Sequence, residues 1–315
     1  MSVLSKPYFH DEAKAFAHLE KLLWADGVVC PHCGCLDRAS KMKGKTTRLG
    51  LWKCYECRKQ FTAKVGTVFE SAHIPLNKML QAVYLMSASK KGVSAHQLHR
   101  TLEITYKSAW FLAHRIREAM RDGKLGPLGG EGKAVEADET YFGKMAEQPT
   151  MRKDGSPYKG RGGKPTFGPA GKRAIVALVE RGGKVRTFHV DRADKVTVAG
   201  IVAMNVAKET KLYTDESGLY PEIGKRFVSH ETVRHSADEY VRGDVYTNTV
   251  EGVFSIFKRG MKGVYQHCAE KHLHRYLAEF DFRYNNRVAL GIPDIARAEN
   301  ALRGMVGKRL YYNQP

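Results

Sequence analysis

The stretch Ala134-Val135-Glu136-Ala137-Asp138-Glu139-Thr140-Tyr141-Phe142 alternates like a β-strand, with Val135 and Ala137 on one side and Asp138 on the other. It is followed by Gly143–Arg173, which holds eight cations, two acids and seven glycines and reads as a mobile basic loop, either a solvated linker or a clamp on a polyanion. Lys172–Val179 and Lys184–Val190 then read as strands, and Arg181-Gly182-Gly183 between them is a hairpin signal. Val196–Lys208 has helical patterning, Lys211-Leu212-Tyr213-Thr214-Asp215 is a short strand ending on an acid, and Asn248–Lys262 is a further helix. Three strands, a helix, a strand and then helices predict a mixed α/β layer that begins with a three-stranded meander.

Three acids stand out by placement. Asp138 lies on the first strand, Asp215 ends the fourth, and Glu251 comes early in a helix, with 35 residues between Asp215 and Glu251. If that helix packs beside the sheet, the three carboxylates converge on one or two hard cations. Mg2+ suits such a set, because it takes few carboxylates and completes its shell with water and phosphate oxygens. Lys258 follows Glu251 by seven residues, close to two helical turns, so both occupy one helix face. Glu136, Glu139, Glu216 and Asp244 read as surface or capping acids.

Upstream, Gly123–Gly132 reads as a linker, and Pro75–Met120 has helical periodicity in Leu76, Leu80, Val83 and Tyr84. After Lys90-Lys91-Gly92, Ser94 can cap a helix through Leu102. A turn at Glu103-Ile104-Thr105 leads to a second helix, Tyr106–Met120, with Ala109, Leu112, Ala113 and Ile116 on its apolar face. Its other side is expected to show Lys107, His114, Arg115 and Arg117. Two helices with so short a turn match a helix-turn-helix; a plain helical bundle with exposed bases is the alternative.

Further upstream, Cys30-x2-Cys33 and Cys54-x2-Cys57 are separated by twenty residues. Two such knuckles supply four thiolates for one closed, structural Zn2+ site. A disulfide framework and a redox motif are the alternatives, the second disfavoured by the ribbon spacing. Trp52 and Phe61 can cover the metal, while His32 and Cys35 read as bystanders and Cys268 as a small packed apolar residue. Arg38, Lys41, Lys43, Lys45, Arg48, Lys53, Arg58, Lys59 and Lys64 are opposed only by Glu56, which suits contact with phosphates.

The 315 residues suffice for a main domain and one or two small ones. Lys and Arg number 52 against 33 Asp and Glu, a formal charge of +19 that points to a polyanion, most often nucleic acid. The longest clean apolar run is Ala174–Val179, too short for a membrane span. Asp11, Glu12 and Glu20 without an apolar core exclude a secretory signal at the N-terminus.

Together these residues resemble the bacterial insertion-sequence transposases of the DDE type that carry an N-terminal zinc ribbon. The resemblance runs through Cys30-Pro31-His32-Cys33-Gly34, Trp52-Lys53-Cys54 with Cys57, Val135–Tyr141, and Tyr213-Thr214-Asp215. It continues through His235-Ser236, Thr247–Gly260, and Tyr276–Asn285. It spans residues 28–288, and its C-terminal blocks are the specific ones.

The resemblance implies an RNase H-like catalytic domain with Asp138, Asp215 and Glu251 as catalytic, metal-binding residues. Related members have Asn as the third residue, for which Asn248 is the alternative here. Glu251 is preferred because its spacing to Asp215 and Lys258 suits the DDE pattern and a carboxylate binds Mg2+ better than an amide. Glu279 and Arg283 match a helical signature of the group; the Arg expected seven residues after that Glu is Asn286 here, with Arg287 next.

The implied organisation is an N-terminal helical segment (1–27), a zinc ribbon (28–70), a helix-turn-helix-like DNA-binding module (71–122), a catalytic domain (133–290) with a basic loop (143–173), and a C-terminal tail (291–315). Lys258, Arg259, His235 and Arg283 would meet DNA near the site, and Lys41, Lys43, Arg48, Lys107 and Arg115 elsewhere. The His235-Ser236 block either positions metal or DNA or caps the next segment. The expected cofactors are two Mg2+ ions, with Mn2+ as substitute, and one structural Zn2+. The expected partners are double-stranded DNA, both terminal inverted repeats and target, and a second copy of the chain, or more, on DNA. No membrane is involved, and the expected location is the cytoplasm, at the nucleoid when bound. The chemistry the resemblance implies is hydrolysis at the element ends followed by attack of the 3′-hydroxyls on target DNA. A catalytically inactive or domesticated DNA-binding regulator and an RNase H-like structure-specific nuclease are the rival readings.

Overall fold

The computed structural model describes residues 2–123, 126–144 and 171–311, so most of the expected basic loop lies outside the described residues. The chain first forms α1 (Glu12–Leu23), the strands β1 (Ala39–Lys41), β2 (Trp52–Cys54) and β3 (Gln60–Phe61), then α2 (Leu76–Ala88), α3 (Ala95–Leu102) and α4 (Tyr106–Met120). Next come β4 (Ala134–Phe142), β5 (Arg173–Glu180), β6 (Val185–Val190), α5 (Lys195–Asn205), β7 (Lys211–Thr214), α6 (Pro221–Gly224) and β8 (Ser229–Thr232). A small hairpin, β9 (Val241–Arg242) with β10 (Val245–Tyr246), precedes α7 (Asn248–Gly260), α8 (Leu273–Asn285) and α9 (Asp294–Arg303). These elements divide into two compact units, Met1–Gly123 with Asn286–Pro315, and Lys124–Asn285.

In the first unit, β1, β2 and β3 form an antiparallel ribbon. The side chains of Asp11, Ser94 and Thr105 cap α1, α3 and α4, each accepting from an amide three residues on, as short polar N-cap residues do. Pro75 cannot cap α2, so Glu12 of α1 does, accepting from the amides of Leu76 at 2.7 Å and Asn77 at 3.0 Å. Glu103, in the left-handed region at φ 52°, ends α3 and turns the chain into α4.

The structure corrects the expected charged side of α4. His114, Arg115 and Arg117 are buried, because α2, α3 and α9 all pack on that helix. Arg115 donates to the Glu70 carbonyl at 3.0 Å and lies over the Phe111 ring, whereas Lys107 is exposed. The segment expected to be a tail holds α9, whose Ala298, Ala301 and Leu302 recur at helical spacing and are buried, with the helix packed on α2.

The second unit is a mixed α/β layer around a five-stranded sheet, ordered β6-β5-β4-β7-β8. The first three strands form the expected meander, and β7 and β8 run parallel to β4. Every residue of Ala174–Val179 in β5 is buried because helices cover both faces. Ile175, Ala177 and Val179 pack with Val250, Phe257 of α7 and Phe280 of α8, while Val176 and Leu178 pack with Val198 and Val202 of α5. Val135 and Ala137 belong to the α5 side. The strand period of two therefore turns Glu136 and Asp138 towards α7. Among the described residues no helix is long and apolar enough to cross a membrane.

Candidate active site and zinc ribbon

Strand register brings the first two acids together. Glu136 of β4 pairs with Tyr213 of the parallel β7, so two residues further on Asp138, in the middle of β4, lies beside Asp215, just past the end of β7. Ligand-type oxygens of Asp138, Glu139 and Asp215 all lie within 4.8 Å of one another. Glu251, in the first turn of α7, faces Asp138 across a cleft of ≈ 680 Å³, lined also by Thr140, Lys258, Arg259 and Lys262. Glu251, Ser255, Lys258 and Lys262 follow one another at intervals of four, three and four, giving α7 a polar side opposite Val250, Val253 and Phe257. The helix then continues into a π-helical turn, Met261–Tyr265, which carries Lys262.

Burial pushes the Asp138 carboxyl up to about 8, reinforced by the neighbouring Asp215 and Glu139 and, more weakly, Glu251. Burial also lowers the ammonium pKa of Lys258, while Asp138 opposes that change. Several carboxylates with too little cationic compensation form a place where a bound cation relieves repulsion. Their hard oxygens match Mg2+ or Mn2+ in chemistry.

Of the remaining expected residues, Asn248 is the exposed first residue of α7. Arg259 is exposed on the cleft. His235 opens the short turn His235–Ala237, and Ser236 next to it donates from its amide (3.0 Å) and hydroxyl (2.7 Å) to Glu216. Arg283 differs from expectation: it is buried and ion-paired with Glu279 one turn away in α8, its guanidinium over Phe280. Burial of that pair within the helix makes Arg283 a packing element of α8 rather than a phosphate contact.

Two acids set aside in the sequence surround Asp138. Glu139 accepts from Tyr220 at 2.7 Å and from Ser217 at 3.2 Å, both in the segment after Asp215. Glu136 is fully buried and bonded to the start of α7. The available signal was their position beside Asp138 on a strand whose neighbours are apolar, since a buried carboxylate must find partners.

In the ribbon, Cys30 and Cys54 are buried with Phe61, and Trp24 and Trp52 pack around them. The Cys30–Cys57 and Cys33–Cys54 sulfur pairs are each 3.7 Å apart. A tetrahedral site with Zn–S of about 2.3 Å has sulfur–sulfur edges of about 3.8 Å. Cys35 lies closer, 3.2 Å from Cys54 and 3.4 Å from Cys33, and the sulfurs of Cys30, Cys33, Cys35 and Cys54 all lie within 4.8 Å of one another, near enough to share one metal ion. The amide of Cys57 aimed at Cys54 pulls that thiol down to about 6, towards the thiolate that binds zinc. The His32 ring contacts the Gln60 carbonyl, and all six cysteines are free of disulfides. Of the ribbon cations, Lys43 and Arg48 are exposed, while Lys41 is paired with Glu20 at 2.7 Å. Cys268 packs partly buried against the α7–α8 core.

A mixed α/β domain with clustered carboxylates, preceded by a cysteine ribbon, defines the DDE-type transposases of insertion sequences that carry an N-terminal zinc ribbon. This chain belongs to the ISXO2-like transposase family, whose domain matches residues 127–285, about half of its length. Residues 10–60 match the transposase zinc-ribbon domain. The chain is also similar to an uncharacterized protein in transposable element ISH50 of Halobacterium salinarum, 28% identical over 284 residues, covering 87% of this chain and 91% of that protein. DNA is the partner that such a family implies.

Proposed function

We propose that this transposase binds the ends of its insertion sequence, cleaves them by metal-dependent hydrolysis and joins the freed 3′ ends to target DNA. The observation that carries the reading is the β4–β7 register, which sets Asp215 beside Asp138, itself on a cleft lined by Glu251 and Lys258. Asp138, Asp215 and Glu251 are the proposed triad. Glu251 rather than Asn248 completes it, because Glu251 lines the cleft and its charge raises Asp138. Two Mg2+ ions, or Mn2+ in their place, would supply Lewis acidity for the attacking and leaving oxygens of an in-line displacement. The three carboxylates would hold the ions, and Lys258 and Arg259 would meet the scissile backbone phosphates and limit their movement. The scheme needs neither a covalent protein–DNA intermediate nor ATP.

The strand order, with a three-stranded meander followed by two parallel strands, supports an RNase H-like domain at 133–290. The three-residue turn between α3 and α4 supports a helix-turn-helix-like module, with Lys107 on its exposed side. Cys30, Cys33, Cys54 and Cys57 are the proposed ligands of one structural Zn2+, supported by their edge lengths. Lys43 and Arg48 are exposed for phosphate contact. Pairing two element ends before strand transfer calls for at least a dimer on DNA, acting in the cytoplasm at the nucleoid.

Incubation of the protein with terminal-repeat DNA, target DNA and Mg2+ tests this reading. The expected result is cleavage and joining by the parent, with both abolished in Glu251→Gln. Cutting without joining would favour a structure-specific nuclease, and no cutting by the parent would favour a DNA-binding regulator. Unchanged cleavage in the variant would reject the triad.

A further inference from the structure

Glu136 lies two residues before Asp138, on the same face of β4, and has no exposed surface. Its Oε2 accepts from the α7 amides of Thr249 (2.9 Å) and Val250 (3.0 Å). Its Oε1 accepts from the Thr249 hydroxyl at 2.8 Å and from Arg181 Nε at 2.7 Å. Four donors saturate the carboxylate, so Glu136 has no lone pair to offer a metal ion. It serves α7 as an N-cap supplied from another element, since Thr247 at the cap position makes no capping bond through its side chain. A negative charge there also complements the positive end of the helix dipole.

Arg181 completes the attachment. Its guanidinium lies over the rings of Tyr246 at 3.5 Å and Tyr213 at 4.5 Å, and it donates to the carbonyls of Asp244 and Tyr246, just before α7. The first turn of α7 is thus fixed, through the Glu136 carboxylate, to the strand that carries Asp138, and Glu251 is the residue after Val250.

We infer that Glu136 is a positioning residue that sets Glu251 against Asp138 for metal binding. This rests on the proposed metal-dependent site. A side chain that only supported the fold would lower stability without acting through Glu251; a positioning residue changes metal affinity, and only while Glu251 is present.

The test is a Mn2+ titration of the full-length protein followed by electron paramagnetic resonance, for the parent, Glu136→Gln, Glu136→Asp, Glu251→Gln and the Glu136→Gln/Glu251→Gln double variant. Amide exchange at Thr249 and Val250 is measured on the metal-free proteins. The Glu136 variants are expected to bind Mn2+ about 10–100-fold more weakly, the range for loss of an orienting partner. Adding Glu136→Gln to Glu251→Gln should change affinity less than about twofold if the two act as one unit. The two amides should exchange faster in Glu136→Gln. Glu136→Asp, which keeps the charge and shortens the reach, provides the measurement if Glu136→Gln does not fold. Parent-like Mn2+ affinity in the Glu136 variants, an equal loss with and without Glu251, or failure of both variants to fold would overturn the inference. If the parent itself binds no Mn2+ in a Glu251-dependent way, the metal-site reading fails and this inference with it.

Discussion

The phenol of Tyr220 donates to Glu139 at 2.7 Å and so ties β4, which carries Asp138, to the segment that follows Asp215. Ser217 makes a second tie to Glu139 at 3.2 Å, and its own amide donates to Asp215 at 3.0 Å. Glu139 therefore stands to Asp215 much as Glu136 stands to Glu251: one strand carries a proposed metal ligand and two carboxylates that hold the elements bearing the other ligands.

Removing the phenolic hydroxyl should loosen that tie without emptying the core. Tyr220→Phe is expected to cost about 1.5–3 kcal/mol of stability, the range for losing one hydrogen bond to a charged group. It is also expected to weaken Mn2+ binding about tenfold through Asp215. Urea denaturation and Mn2+ titration measure the two effects, and unchanged metal affinity would dismiss the tie to Asp215.

The raised Asp138 carboxyl makes metal binding depend on pH. Below about 8 the metal-free protein keeps that proton, and binding must displace it. Apparent Mn2+ affinity should therefore rise about tenfold per pH unit between pH 6 and 8 and level off above, as one displaced proton requires. Asp138→Asn should bind far more weakly and lose this slope. A flat profile in the parent would show that Asp138 is ionised before metal arrives.

Zinc content separates the ribbon thiols. Purified protein should hold about one zinc per chain. Cys54→Ser and Cys57→Ser should lose it, because each removes a vertex of the set with 3.7 Å edges, whereas Cys35→Ser should keep it. Chelation of the parent should melt the ribbon, whose buried residues centre on Cys30, Cys54 and Phe61. Full zinc in Cys54→Ser would reject the assignment.

Exposed and buried cations should respond differently. Lys43→Ala and Arg48→Ala are expected to leave stability unchanged and each reduce the salt slope of DNA binding by about one. Arg283→Ala should instead destabilise the protein by about 3 kcal/mol or more, since it leaves the buried Glu279 without its ion partner. Arg115→Ala should destabilise it through the lost bond to the Glu70 carbonyl and the lost packing on Phe111. Binding isotherms across a salt series with parallel melting curves distinguish the two classes.

Local chemistry made much of the fold legible without coordinates. The cysteine spacing, the caps at Ser94 and Thr105, the hairpin at Arg181-Gly182-Gly183 and the alternation around Asp138 each depend on neighbours within a few residues, and secondary structure follows them closely. The strand–strand–strand–helix–strand order was legible for the same reason. Burial of cations was not. Arg115 and Arg283 occupy helix positions where charge normally faces water, and only the packing of α2, α3 and α9 on α4, and of α8 on β6, puts them inside. Nor could composition tell the proposed metal ligand from the acids beside it: Glu136, Asp138 and Glu139 lie within four residues of one strand. The ribbon, the mixed α/β order and the placing of Asp138 on one strand and Asp215 after another were readable from the residues, because those rest on short-range periodicity and fixed backbone geometry. Long-range packing alone shows that the Glu136 carboxylate is used up in holding the start of α7, because the donors that saturate it come from Arg181, Thr249 and Val250, about 45 to 114 residues away.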